Sequence, residues 1–425
     1  MNPPEEKKPT IQQLAEHLFR HESGKMVSIL TGIYGARNLQ LAEDVVQEAM
    51  IRALKSWPVG GVPANPAAWL LQTAKNLAID QLRREKNIVG KQSELIAETH
   101  ARSVADPGAP DDGGFIDDQL RLMFVCCHPE LTPETQVALA LKTLCGFSPA
   151  EIATAFLISE AAVSKRLVRA RQRIRDEQIP FEIPDATELP ARLDGVLEIL
   201  YLLFNEGHKA TSGDEVVRRE LCLEALRMTS LLARHPVGNC SRTHALAALM
   251  ALTAARLPTR TDAEGCLVRL EDQDRGMWDR KLIHAGIQHL AESGGGNDLG
   301  EFHLQAGIAA CHTLAPGDAE TDWPRIILLY DRLMKSHPSP VIALNRAVAI
   351  SKVQGAQAGI DELKNREVFG RLDRYHLYHA VLGELEWKCE RNEAAASHFR
   401  CALELAETKP ERALLAKRLE ECLAP

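Results

Sequence analysis

Two clusters of side chains in this sequence have the types that perform catalysis or bind metal ions, and the first is made of thiols. Cys126, Cys127 and His128 are consecutive, and thiolates and imidazoles act as zinc ligands or nucleophiles. Adjacent cysteines seldom ligate one zinc ion with good geometry, and no second cysteine–histidine pair stands at ligand spacing. We therefore expect no metal site there.

The second cluster is acidic. Its members are Glu271, Asp272, Asp274, Asp279 and His284. Such groups serve acid–base chemistry or hold a divalent cation, yet no glycine-rich phosphate loop or nucleophile elbow accompanies them. Helix capping and ion pairs with Arg275, Arg280 and Lys281 explain the cluster better. The sequence thus predicts a protein that is not an enzyme and has no cofactor.

A third set of residues has the chemistry of nucleic-acid binding. Between residues 165 and 175 the sequence has six basic residues and no acidic one: Lys165, Arg166, Arg169, Arg171, Arg173 and Arg175. They share a helix whose apolar stripe is Val163, Leu167, Ala170 and Ile174. Ser159 is its predicted N-cap, and a capping box from Ser148 to Glu151 opens a shorter helix over residues 149–156. This pattern predicts a helix-turn-helix that reads the major groove; the alternative is an ordinary helical hairpin with a solvated basic face.

Two helices must lie upstream of this motif. In the first, Val45, Val46, Ala49, Met50, Ala53 and Leu54 form the buried side, and Glu43, Asp44, Gln47 and Glu48 face outward. The second starts after Asn65-Pro66 and runs to about Arg84. Its outward side carries Lys75, Asn76, Asp80, Arg83 and Arg84. Trp69 could stack on an unpaired base there, although a place in the core is the alternative.

Composition limits the classes to which this protein can belong. The chain has 425 residues, of which 45% are hydrophobic and 5% aromatic, and a net charge of -8. These values predict a protein of several helical domains, and they exclude a polycation that binds nucleic acid or membranes through its overall charge. The ten cysteines lack paired spacing, which indicates a reducing cytoplasm. No apolar stretch reaches the roughly 20 residues of a membrane span, so we expect no membrane association.

Breaks in the pattern divide the chain. Residues 93–118 hold seven acids against one basic residue, with prolines and glycines among them, which is typical of a flexible linker. Pro180 and Pro184 end the basic helix, so a boundary is predicted near Asp185. The predicted domains are residues 1–92, the linker 93–118, residues 119–182, a helical domain over 186–295 and helical repeats over 296–425.

These motifs together resemble the extracytoplasmic-function sigma factors of bacterial RNA polymerase. The run AEDVVQEAMIRAL from Ala42 is similar to the region-two helix that docks on the beta-prime clamp, and WLLQTAKNLAIDQLRRE from Trp69 to the helix that reads the minus-ten element. Residues 131–175 resemble region four, which reads the minus-thirty-five element and contacts the beta flap. The resemblance covers roughly residues 10–180, in the family's order.

Matching the motifs residue by residue implies specific roles. The residues implied to contact polymerase are Asp44, Gln47 and Glu48. Those implied to contact minus-ten DNA are Asn76, Arg83 and Arg84, and those implied at the minus-thirty-five groove are Glu160, Ala161, Ser164, Lys165 and Arg169. The implied partners are core RNA polymerase and promoter DNA.

About 240 further residues follow region four. The strings CCHPEL, NEGHKAT and EDQDRGMWDRKLI resemble the subgroup of sigma factors that carries a helical extension with tetratricopeptide-like repeats. Leu382, Gly383, Ala395, Phe399 and Ala402 fall at that repeat's spacing, and its groove would take a peptide or protein ligand. The resemblance implies that the extension regulates activity. The alternative is a tetratricopeptide-type interaction adaptor without promoter activity.

Overall fold

The computed structural model describes residues 11–89, 112–156, 158–208, 218–262, 265–295, 299–364 and 372–424. In these ranges the regular elements are α-helices and short 3-10 helices, with one isolated bridge between Thr261 and Leu267 and no strand. The all-α prediction is confirmed. Within the same ranges every helix is too short or too polar to cross a lipid bilayer.

The chain divides into two compact units, residues 1–199 and 200–425. The helices up to the division are α1 (Ile11–Tyr34), α2 (Leu39–Gly60), α3 (Pro66–Val89), α4 (Asp112–Cys126), α5 (Pro133–Thr143), α6 (Pro149–Phe156) and α7 (Glu160–Asp176). The division falls within α8 (Leu189–His208).

The second unit continues with ten more helices in the described residues. They are α9 (Arg219–Arg234), α10 (Ser241–Ala254), α11 (Arg280–Glu292), α12 (Glu301–Leu314), α13 (Trp323–Ser336), α14 (Pro340–Gln354), α15 (Ala356–Leu363), α16 (His376–Lys388), α17 (Asn392–Leu405) and α18 (Lys409–Leu423). Short 3-10 turns lie at Leu257–Thr259, Leu270–Asp272, Arg275–Met277 and Ser293–Gly295, and in the first unit at Ala36–Asn38.

The predicted linker is too long at its carboxyl end, because α4 begins at Asp112. Leu120 and Phe124 of this helix are buried in the first unit, and acidic side chains are favourable in a helix's first turns. The Asp118 carboxylate lies so close to α1 that a Cβ on Gly32 would be 3.1 Å from it. Residues 90–111, which hold most of the predicted linker, lie outside the described residues.

The first residues of α8 pack with the helices before them. Arg192 donates from Nη2 to the Phe124 carbonyl over 2.8 Å, and this contact holds the start of α8 in the first unit. The division after residue 199 therefore comes later than the boundary predicted near Asp185. A proline break marks the end of a helix, not the edge of a compact unit.

A buried ion pair joins the two halves of the first unit. Arg171 on α7 lies 2.5 Å from Glu43 on α2, with 11% and 6% of the two side chains exposed. Thr143, at the end of α5, donates to the same carboxylate over 2.8 Å. Gly24 on α1 lies so close to the Leu144 carbonyl that a Cβ there would be 2.1 Å from the oxygen. The two modules thus form one packed unit.

In the second unit, the carboxyl-terminal helices pack through the residues singled out by the repeat spacing. Ala395, Phe399 and Ala402 are buried on α17, as are Leu382 and Gly383 on α16. A Cβ on Gly383 would lie 2.8 Å from the Phe399 ring, so the missing side chain permits the close approach of the two helices.

Candidate polymerase and promoter interfaces

The local signals of the helix-turn-helix are present as predicted. The Ser148 hydroxyl accepts from the Glu151 amide over 3.2 Å, and the Glu151 carboxylate accepts from the Ser148 amide over 2.7 Å. Ser159 caps α7 by accepting from the Ala162 amide over 3.2 Å. The apolar stripe Val163, Leu167, Ala170 and Ile174 is buried. These contacts confirm the predicted helix, turn and helix.

One face of α7 presents the predicted DNA-contacting residues to solvent. Glu160, Ala161, Ser164, Lys165 and Arg169 are all exposed. Val168 lies between the two cations and is 60% exposed. Among the described residues neither Lys165 nor Arg169 has a hydrogen bond or an ion pair. The face therefore offers two unpaired cations and an apolar contact, a combination that suits phosphates, base edges and a thymine methyl group.

Two other members of the basic run on α7 are held in ion pairs. Arg171 is held by Glu43. Arg173 contacts Glu130 over 2.6 Å and Glu177 over 2.9 Å. The sequence shows six basic residues without an acid among them, but acids from other segments neutralise two of the six. Among the described residues, the basic side chains of α7 without an ion pair are therefore Lys165, Arg166, Arg169 and Arg175.

The acidic side of α2 splits in two. Asp44, Gln47 and Glu48 are exposed on one face of the helix, as predicted for a docking surface. Asp44 accepts from Gln40 over 2.6 Å, and Glu48 pairs with Arg52 over 3.2 Å, so both carboxylates remain at the surface. The prediction that Glu43 also faces outward is wrong, because its carboxylate is buried against Arg171.

An open cleft of about 430 Å³ lies between α2 and α3. Trp69 and Asn76 of α3 line it together with Arg52, Lys55 and Ser56 of α2. Trp69 is half-buried and meets the fully buried Trp57 edge-on, with 5.7 Å between ring centroids. Trp69 therefore packs on the core, as one hypothesis predicted, and also lines the cleft, where the other hypothesis places an unpaired base. The sequence did not single out Arg52 and Lys55, although their three-residue spacing on α2 is a signal for a shared face.

The remaining candidates on α3 lie farther along the helix. Arg83 and Arg84 are exposed. Asn76 is exposed as well, and its side-chain oxygen accepts from Gln72 over 3.0 Å. Lys75 is half-buried, and this burial lowers the pKa of its ammonium group. The exposed side of α3 thus carries an amide beside the cleft and two guanidinium groups toward the helix end.

The two enzyme-like clusters are structural. Cys126 and Cys127 are buried, and burial raises the pKa of the Cys127 thiol to about 12, so it is not a reactive thiolate. In the acidic cluster, Asp279 caps α11 by accepting from the Lys281 and Leu282 amides. The predicted ion-pair partners are wrong, because Glu271 pairs with Arg269 and Lys352 instead.

One group of side chains in the described residues has a geometry that could hold a metal ion. It consists of His244 on α10 with His289 and Glu292 on α11. The two Nδ1 atoms are 2.9 Å apart, and the Glu292 carboxylate is 2.8 Å from Nδ1 of His244 and 3.5 Å from that of His289. The sequence signal that could have found two of its members is the three-residue spacing of His289 and Glu292, which places both side chains on one face of α11.

Three family descriptions match parts of the chain. Residues 18–88 match Sigma-70 region 2, residues 121–174 match Sigma-70 region 4, and residues 192–294 match a family of unknown function, DUF6596. The regions match in the order that the motifs predicted. No solved structure matches the chain.

Several curated proteins are similar to this chain. An uncharacterized protein of Rhizobium meliloti (strain 1021) is 40% identical over 390 residues, which are 91% of this chain and 91% of that protein. The ECF RNA polymerase sigma factor SigL of Mycobacterium tuberculosis is 34% identical over 137 residues, 32% of this chain and 72% of the relative. A probable ECF RNA polymerase sigma factor, SigI of Mycobacterium tuberculosis, is 27% identical over 150 residues, 35% of this chain and 51% of the relative.

Proposed function

Because the chain belongs to the extracytoplasmic-function sigma factors of the sigma-70 family, we propose that it directs core RNA polymerase to specific promoters in the cytoplasm. Sigma factors bind core polymerase and promoter DNA and perform no bond chemistry. In this proposal α2 docks on the beta-prime clamp, α3 captures the minus-ten element, and α7 enters the major groove at the minus-thirty-five element while its module contacts the beta flap.

The α7 face carries the proposal. Its first half has small residues at Ala161 and Ser164, which let a helix approach the floor of a groove. Lys165 and Arg169 follow one and two turns later and have no anionic partner in the described residues. Exposed cations without a carboxylate partner can bind phosphates or guanine edges without first breaking an ion pair.

The cleft beside α3 supports a role in holding single-stranded DNA. An indole at its wall can stack on an unpaired base, and an amide at its rim can bond to that base's edge. Trp69 and Asn76 supply these two groups, and Arg52 and Lys55 supply positive charge for the adjoining phosphates. Arg83 and Arg84, exposed farther along the helix, would neutralise the backbone as it continues.

The docking face on α2 supports the polymerase contact. Asp44, Gln47 and Glu48 share one exposed face, and acidic rim residues steer association with a basic partner. We also propose that the second unit regulates activity and that its last helices form tetratricopeptide-like repeats with a peptide or protein ligand. The close packing of Gly383 on Phe399 supports that repeat assignment.

Transcription with sigma-free bacterial core polymerase tests the function. The template is a promoter from upstream of this protein's own gene, and the full chain is compared with the double variant Lys165→Ala/Arg169→Ala. We expect transcription to fall about tenfold or more, since each lost contact to DNA removes about 1–3 kcal/mol. Binding to core polymerase should stay within about twofold.

A matched control removes the same charge elsewhere. Lys335→Ala/Lys417→Ala changes two lysines that are exposed in the second unit, and it should transcribe like the parent chain. If the parent chain neither binds core polymerase nor supports transcription, the proposal is wrong and the interaction-adaptor reading replaces it.

A further inference from the structure

The second unit has an open cavity of about 740 Å³ among α8, α10, α12, α13 and α14. Its wall is mixed: apolar and aromatic side chains such as Tyr201, Phe204, Leu249 and Ile308 alternate with polar ones. A concave site of this size, with apolar side chains and polar groups on the same wall, suits a small molecule that has both an apolar body and a polar group.

Arg256 lines this cavity and has no counter-ion. Its Nε is buried without a hydrogen-bond partner, and its guanidinium forms no hydrogen bond or ion pair with the described residues. Burial, together with the positive charges of Arg260 and Arg275, lowers the pKa of Arg256 to about 10. The side chain is therefore still cationic at neutral pH. A buried charge without a partner is strongly unfavourable in a folded protein.

The neighbouring arginines differ from Arg256 because each has at least one terminal nitrogen bonded to a protein atom. Arg260 donates to His208 over 2.8 Å, and Arg275 donates to the His312 and Ala315 carbonyls over 2.8 and 2.7 Å. Arg275 also donates from Nη2 to the Thr321 hydroxyl over 3.4 Å, whereas in the described residues Arg260 has the one side-chain bond to His208 and its Nε is buried without a partner. In the part of this unit that the structure describes, Arg256 presents the free guanidinium fork at the cavity.

Two further polar groups lie beside Arg256. Tyr330 lines the cavity, and burial raises the pKa of its phenol to about 12, so it remains a hydrogen-bond donor. His312 also lines the cavity, and its Nδ1 is buried without a partner. The carboxylate on this lining, Glu301, accepts from Gln305 over 2.6 Å and does not neutralise Arg256. Among the described residues, the guanidinium of Arg256 thus lacks an anionic acceptor.

We propose that this cavity binds a small organic acid, with its carboxylate on the guanidinium of Arg256 and its apolar body against Tyr201, Phe204 and Ile308. A single free guanidinium fork matches one carboxylate in a bidentate pair. The Tyr330 hydroxyl adds a third donor. A phosphate dianion fits less well, because Arg260 and Arg275 are already engaged.

Binding to the full chain tests this proposal without reference to transcription. The probes are octanoate, 4-phenylbutyrate and indole-3-acetate, each paired with its neutral primary amide, and inorganic phosphate. Calorimetry and thermal shift should detect at least one of the acids, with its amide binding about tenfold or more weakly because it forfeits the charge-assisted bonds. Arg256→Gln should weaken that acid by a similar factor.

The stability of the free protein gives a second readout. Arg256→Gln should leave the melting temperature unchanged or raise it, because an uncompensated buried charge is removed. Arg260→Gln is the matched control, and it should lower the melting temperature because it breaks the bond to His208. If Arg256→Gln lowers the melting temperature as much as Arg260→Gln does, Arg256 is structural and the proposal fails.

The remaining outcomes also decide the question. Equal binding of acids and amides would show a merely apolar cavity and overturn the proposal, as would no shift with any of the three acids at 10 mM, a concentration of about ten times a millimolar Kd. Binding of phosphate alone would replace the organic acid by an inorganic anion. A regulatory effect of the bound acid, unlike its binding, rests on the proposed sigma function.

Discussion

Arg171 in the first unit and Arg256 in the second are both partly buried, yet their surroundings are opposite in charge. Arg171 meets a carboxylate at 2.5 Å, and that carboxylate also accepts from Thr143. Arg256 meets two other arginines and no acid among the described residues. In the first arrangement the two charges compensate each other within the protein, whereas in our proposal the charge of Arg256 is compensated by a bound anion.

This difference separates charged side chains that stabilise the packing of helices from charged side chains that are available to bind a ligand. A buried ion pair specifies which surfaces pack, because removing either partner leaves the other one uncompensated. In the first unit the pair fixes α2 against α7, one helix from each predicted module. An unpaired buried cation lowers stability and persists where binding depends on it.

The largest expected effect follows from breaking the complete pair. Glu43→Ala should destabilise the first unit by about 3–5 kcal/mol, because it leaves Arg171 buried without its counter-ion. Urea denaturation of the full chain, followed through the transition of the first unit, measures the change. Glu48→Ala on the same helix is the control, and it should cost less than about 1 kcal/mol because its pair with Arg52 is exposed.

The double variant Glu43→Leu/Arg171→Met sharpens that prediction. Replacing both charges with apolar groups of similar volume should restore most of the lost stability. If the double variant is as unstable as Glu43→Ala, packing and not charge compensation accounts for the loss, and the contrast with Arg256 disappears.

Helix positions and caps in the first unit were predictable because they depend on near neighbours. Ser159 accepts from an amide three residues later, and Ser148 and Glu151 bond to each other. Glu43 was not predictable in this way. A helix can have two polar sides, and periodicity does not tell which one packs on another helix. The deciding partner, Arg171, lies far along the chain.

The same limit applied to the second unit. Asp279 was predictable as a cap, because the amides that donate to its carboxylate belong to residues two and three positions later in the chain. The ion pairs of Glu271 were not, because Lys352 comes from α14. Arg256 carries no local signal of its state, since an arginine without a counter-ion can be recognised only when every neighbouring segment is in place.

A second effect concerns His312, beside Arg256. Burial, and then the charges of Arg256 and Arg275, lowers the pKa of His312 to about 4 from an ordinary 6.5; Lys352 adds to this and Asp318 opposes it. Between these values the unfolded chain takes up a proton that the folded chain does not. Stability is therefore lost as the pH falls from about 6.5 toward 4, by up to about 3 kcal/mol.

The variant His312→Gln isolates this loss from the titration of carboxylates in the same range. Urea denaturation between pH 7 and pH 4.5 should show a shallower decline for His312→Gln than for the parent chain. His337→Gln, at a half-exposed histidine on the same cavity, is the control for loss of an imidazole. Identical pH profiles for His312→Gln and the parent chain would mean that the charges of Arg256 and Arg275 do not lower the pKa of His312.

The smallest expected effect concerns the cluster of His244, His289 and Glu292. Its charges are partly compensated, more than those around Arg256 and less than those of the ion pair of Arg171 and Glu43. Asn239 Oδ1 lies 3.1 Å from Nε2 of His244, so a neutral His244 would donate there and turn the lone pair of Nδ1 toward the other two ligand atoms. Ligand atoms on tetrahedral zinc are about 3.3 Å apart, close to the 2.8–3.5 Å observed here. A bound cation would compensate the lone pairs and the negative charge of this cluster, just as a bound anion would compensate the charge of Arg256 in the cavity.

Zinc added to chelator-treated protein should therefore raise the melting temperature of the second unit. At ten times the Kd the gain is about 1.4 kcal/mol, and we expect a modest affinity because Arg234 adds a positive charge near His289. His289→Gln should abolish the shift, whereas His284→Gln, exposed on the same helix, should preserve it. An equal shift in both variants would mean that zinc binds elsewhere, and no shift in the parent chain would mean that His244 and Glu292 already complete each other as an ion pair, as Arg171 and Glu43 do.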